Sequence, residues 1–181
     1  PIYKIFMLCM MIYTNSICQD DYFVQKELKI KKWANAIING NETKDKLIAN
    51  DSLLSLISQV ISHPKSYLYQ FENLDYISII QPKNKKFKLF TWFVPLEDGS
   101  YDYFGIIQTC KKNGKKCQIY RLLQTNKERE YNSSDLISFQ NWYGCIYYDV
   151  IEIKVKKKMY YTLLGWDGNN NMSNKKIIDV I

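Results

Sequence analysis

The sequence predicts an α+β domain, with an N-terminal helical pair packed on an antiparallel, meander-like β-sheet of about six or seven strands. Three observations carry this expectation. Apolar residues recur at helical spacing between residues 22 and 63. From residue 75 to 181 the pattern changes to short runs rich in aromatic and β-branched residues, punctuated by turn formers. No strand-like run is followed by an amphipathic stretch of helix length, so no βαβ unit is visible. The 15 tyrosines agree, because flat amphipathic rings pack well on a pleated surface.

The first helix is expected over residues 22–39, where Phe23, Val24, Leu28, Trp33, Ile37 and Ile38 are interleaved with lysines, and Gly40 stops it. A second starts near Thr43 or Asp45 and runs to His63-Pro64, where proline cannot continue the hydrogen-bond ladder. Strands follow over 75–81, 86–94, 101–109, 117–123, 142–155, 159–166 and 175–181. The breakers between them are Pro82-Lys83-Asn84, Pro95 with Asp98-Gly99, Asn113-Gly114, the lysines at 156–158, and Asp167-Gly168. Several strands carry large apolar residues on both faces, Phe87 and Leu89 alternating with Phe90 and Trp92. Such a sheet must be covered by the helices, curled on itself, or continued by further chain. The stretch 124–141 is the least regular and offers Ser134 or Asp135 as the cap of a short helical turn through Leu136 and Phe139.

The N-terminal run, with Lys4, an apolar stretch from Ile5 to Tyr13, and Ser16-Ile17-Cys18, has the order of a secretory signal peptide over residues 1–19, leaving 20–181 as one domain. A first core helix is the alternative. This address predicts a secreted or periplasmic protein that is not an integral membrane protein, since the run is too short to span a bilayer. A start at Pro1 and an end in mid-pattern at "KKIIDVI" predict a fragment, truncated at its C-terminus. Cys110 and Cys117 flank a polar, Gly-containing turn and are expected to face each other as a disulfide, leaving Cys145 free and buried.

The net charge of +7 argues only weakly for nucleic acid. Nearly all of it is lysine; Arg121 and Arg129 are the only arginines, and arginine is the residue that forks onto phosphate and guanine. No nucleic-acid partner is expected. Phosphate-binding glycine loops and zinc spacings are absent from the sequence. The single histidine, His63, stands where a helix ends, without a recognisable nucleophile. Cys145 lies in an apolar strand, where a thiol is usually inert. Asp102, Asp149 and Glu152 are the carboxylates from which a glycosidase-type pair would be drawn.

Two further groups invite a site. In "GWDGNNN", Asp167, Asn169 and Asn171 alternate like the first oxygen ligands of a calcium loop, but Met172 and Ile178 stand where its glycine and closing glutamate belong. A plain turn between two strands explains more of these residues, so no cofactor is expected beyond this calcium reading. Trp142, Tyr143 and Trp166 would form an aromatic ligand platform, against the commoner fate of strand aromatics in cores.

The segments "FKLFTWFVP", "YFGIIQ", "NWYGCIYYDVI" and "YYTLLGWDGNNNMSNKKIIDVI" occur in this order. On them, residues 76–181 resemble a group of uncharacterised secreted proteins of Bacteroidetes bacteria, most specifically through "YYTLLGWDGNN" with "KKIIDV". The resemblance implies export and no activity. The expected function is therefore a non-catalytic binding or structural module of the bacterial cell envelope, its partner an envelope protein or glycan. The alternative is an envelope hydrolase acting on glycan or peptide through carboxylates.

Overall fold

A computed structural model describes the backbone of residues 2–111, 115–125 and 138–181, with side chains for 21–111, 116–125 and 138–181. Among the described residues two helices, α1 (Ile2–Asn39) and α2 (Thr43–Ile61), precede seven strands. These are β1 (Ser78–Ile80), β2 (Phe87–Pro95), β3 (Tyr101–Lys111), β4 (Lys115–Leu122), β5 (Ile146–Val155), β6 (Lys158–Asn170) and β7 (Ser173–Val180). The α+β class with its helical pair is as the periodicity predicts. The strands, however, form two antiparallel sheets, β1-β2-β3-β4 and β5-β6-β7, where one meander is expected.

The stretch expected as a leader and the first expected helix form one continuous helix, α1; the side chains of the 1–19 expectation lie outside the described residues. Gly40 follows the last helical residue, as expected. The N-terminal N–H of α2 is capped from a distance: Thr43 donates its backbone N–H to the Glu97 carboxylate at 2.8 Å, a favourable place for negative charge at a helix start.

Strand β2 explains the architecture. Phe90, Trp92 and Val94 point to the helices and pack with Ile30, Ile37, Leu53 and Ile57 in one core. Phe87 and Leu89 point the other way and pack with Tyr147, Tyr161 and Leu163 of the second sheet in another. The two-faced apolar pattern of β2 is thus covered by helices on one side and by a second sheet on the other. Trp92 is buried and donates its indole N–H to Asn50 Oδ1 at 2.7 Å, tying β2 to α2.

Cys110 and Cys117 are disulfide-bonded across the β3–β4 hairpin, with Cα atoms 4.1 Å apart; the turn residues 112–114 lie outside the described residues. Cys145 is free and buried. The expected cap and turn at 134–136 also lie outside, but a short 3-10 turn, Phe139–Asn141, follows, with Ser138 accepting from the Gln140 N–H.

Candidate functional site

The link between the two sheets is the buried Asp167 with the aromatic hydroxyls around it, and it resolves the "GWDGNNN" question. The Asp167-Gly168 turn expected from sequence is not the turn: β6 continues to Asn170, and the chain reverses only between Asn170 and Ser173. Asp167 continues the inward series of Tyr161, Leu163 and Gly165 along β6, and a bulge between Asp167 and Asn170, with Asn169 at φ +51°, interrupts the ladder just beyond it. The Tyr103 hydroxyl of β3 donates to Asp167 Oδ1 at 2.9 Å, and the Tyr143 hydroxyl donates to Oδ2 at 2.9 Å. The Asn169 N–H adds a third bond to Oδ1 at 2.8 Å. Tyr103 in turn accepts the Gly168 N–H at 2.7 Å. Asp167 is a cross-sheet anchor. Of the expected calcium ligands, Asn169 directs its side-chain amide to Ser173 Oγ at 2.7 Å, and the Asn171 side chain lies against Gly99 of the β2–β3 turn. No cluster of three His, Cys, Asp or Glu residues with metal-holding geometry occurs among the described residues.

A second acid, Asp179, is held within the second sheet, while its tyrosine partner makes the contact across to the first. Tyr147 of β5 donates its hydroxyl to Asp179 of β7 and accepts the indole N–H of Trp142 at 3.1 Å. Its backbone N–H donates to Thr91 Oγ1 of β2 at 3.1 Å. Burial pushes the Tyr147 hydroxyl well above its ordinary range, and does the same to Tyr103, reinforced there by the Asp167 charge against the opposing Gly168 bond. Both therefore remain protonated donors to their carboxylates. Burial also pushes the Cys145 thiol far up, so this residue has no thiolate with which to attack.

The expected aromatic platform is dispersed. Trp142 is buried in the inter-sheet core, Tyr143 is occupied by Asp167 and Lys175, and Trp166 is half-buried against Phe93 and Tyr101. The hydrolytic carboxylates do not converge either. Asp149 and Glu152 lie on opposite faces of β5, and Asp102 belongs to the other sheet, paired with Val94. Glu152 accepts the Asn84 N–H at 2.9 Å. His63 stacks near Tyr22 and Phe23 and accepts the Lys65 N–H.

The feature that residue-by-residue motif reading missed is a face. On β5 the half-buried inward residues after the bulge are Val150 and Glu152, whereas Ile151, Ile153 and Val155 point outward and are exposed. On β7 Asp179 points in and Ile178 and Val180 point out, 70% and 62% exposed. Register places Thr162 between Ile151 and Val180, and Tyr160 beside Ile153. Two strands of this sheet thus turn their more apolar series away from the core, the reverse of the usual assignment. The signal was present as alternation in "DVIEIKV" and "KKIIDVI", but a pattern alone does not say which series faces in.

No protein-family model, curated protein or solved structure matches this chain.

Proposed function

We propose that the chain is a non-catalytic binding module of the bacterial cell envelope, which presents the outer face of its second sheet to a partner. The observation that carries this reading is the inverted burial of β5 and β7: Ile151, Ile153, Ile178 and Val180 are exposed while Glu152 and Asp179 turn inward. A soluble monomer rarely leaves a contiguous apolar patch of this kind without a use for it. The carboxylates from which hydrolysis would draw its pair stand apart, Asp149 and Glu152 on opposite faces of β5 and Asp102 in the other sheet, which disfavours the envelope hydrolase. Export rests on the N-terminal run and on the resemblance to secreted Bacteroidetes proteins.

The test is a paired assay on the purified chain. Incubation with cell-wall glycan and with peptide substrates is expected to give no turnover above that of an Asp149→Asn, Glu152→Gln variant. Turnover that disappears in that variant would replace the binding reading with the hydrolase.

A further inference from the structure

We propose that the exposed end of this module docks on an anionic lipid bilayer surface; the proposal rests on the binding-module reading and names the chemistry of the partner. Two loops and the adjoining ends of β3 and β4 meet at one pole of the molecule. Phe87 pairs with Thr109, which sets the β1–β2 loop beside the β3–β4 hairpin. Asn84 in that loop donates its backbone N–H to Glu152 and its side-chain amide to the Tyr161 hydroxyl at 2.8 Å, drawing the β5–β6 hairpin to the same end.

Among the described residues the charge of this pole is one-sided. The loop exposes Lys83, Lys85 and Lys86; the disulfide-bonded hairpin exposes Lys111 and Lys116; the β5–β6 hairpin exposes Lys154, Lys156, Lys157 and Lys158. Glu152 is the acid among them, half-buried and hydrogen-bonded. The acids Glu97, Asp98 and Asp102 stand at the opposite pole, at or beside the β2–β3 turn. Between the lysines project Val155 and Tyr160, continuous with Ile151 and Ile153 on the outer face, with Met159 exposed on the other side of the same hairpin.

Lysines alone would suit any polyanion, but aliphatic side chains set among them gain nothing from a phosphodiester backbone. They gain by entering the boundary between headgroups and acyl chains, while flanking lysines stay at the level of the anionic phosphates. Nucleic acid is further disfavoured because the described arginine, Arg121, lies on β4 and not in these turns. A tip that is both cationic and aliphatic fits a bilayer best.

The experiment is sedimentation of the full chain with vesicles of phosphatidylcholine alone or mixed with phosphatidylglycerol, at low and high salt. Binding is expected only to the anionic vesicles and is expected to fall with salt. A Lys156→Glu, Lys157→Glu variant and an Ile153→Ser, Val155→Ser variant change only exposed positions. Each is expected to weaken binding at least about tenfold with unchanged circular dichroism. Equal binding to neutral vesicles, or no binding to either, overturns the proposal. So does tighter binding to duplex DNA than to the vesicles, or a second copy of the chain covering the hairpin in sedimentation velocity. Any of these leaves the binding-module reading to the hydrolase assay, which fails or passes independently.

Discussion

The two sheets are built from similar residues and finished differently. The first is sealed: β2 buries Phe90, Trp92 and Val94 under the helices and Phe87 and Leu89 under the second sheet. The second, among the described residues, is covered on one face, is pinned there by the bonds of Tyr103 to Asp167 and of the Tyr147 N–H to Thr91, and leaves Ile151, Ile153, Ile178 and Val180 in solvent. The comparison shows that apolar content does not identify a core position. Register and the placement of a few acids decide which apolar series is structural and which is left for a partner.

Substitutions that separate the two sheets should differ widely in cost. Trp92→Ala removes a buried indole and orphans Asn50 Oδ1, so urea denaturation should show a loss of about 4 kcal/mol. A loss below about 1 kcal/mol would mean that the first sheet is not sealed as described. Asp167→Ala strips the acceptor from two tyrosine hydroxyls and should cost about 2–3 kcal/mol, with Asp167→Asn milder because one acceptor survives. If the alanine variant were as stable as the wild type, the pin between the sheets would be without energetic content.

The third test concerns a cation inside the helix-side core. Lys88 is 1% exposed, gives one hydrogen bond to the Tyr69 carbonyl, and lies over the rings of Tyr67 and Phe71. Burial, aided by Lys85, lowers its pKa from 10.5 to about 8. Below pH 8 both states hold the proton, and the folded chain bears the full cost of the buried charge. Between pH 8 and 10.5 the unfolded chain binds more protons than the folded one, so this group's contribution to stability rises with pH. Lys88→Met should therefore be about 1–2 kcal/mol more stable than the wild type at pH 7. The advantage should shrink as pH rises through that window, and a difference between the two melting curves that does not vary with pH would refute the assignment. Tyr103 and Tyr147 act in the opposite sense: held protonated by burial, they withdraw stability as pH climbs above 10, where unfolded tyrosines ionise.

The smallest effect belongs to the open face. Ile178→Ser, at a position 70% exposed, should change stability by no more than about 0.5 kcal/mol. A large loss would mean that this face is covered within the molecule after all.

Much of this arrangement was legible along the chain. The Gly40 stop, the start of α2 at Thr43 and the run 86–94 that became Phe87–Pro95 all depend on local periodicity and caps, which a sequence carries directly. The split into two sheets depends on pairing across distance, and the polar stretch 124–141 that separates β4 from β5 resembles any long loop. Asp167-Gly168 misled for a specific reason. The dipeptide is a strong turn former, but here the acid is held in a strand by Tyr103 and Tyr143. The glycine admits the rings of Tyr101 and Trp166, which a Cβ would strike at 2.4 and 2.7 Å. Of the expected aromatic platform, Trp142 meets Tyr147 inside the inter-sheet core, a pairing between sheet and loop that no local pattern announces.

Amide hydrogen exchange of the full chain, alone and with phosphatidylglycerol-containing vesicles, tests the difference between the sheets most directly. The account predicts slow, unaltered exchange along β2 and β3 and added protection confined to residues 83–86 and 151–160. Unchanged exchange at 151–160, with protection gained along the helices instead, would contradict it.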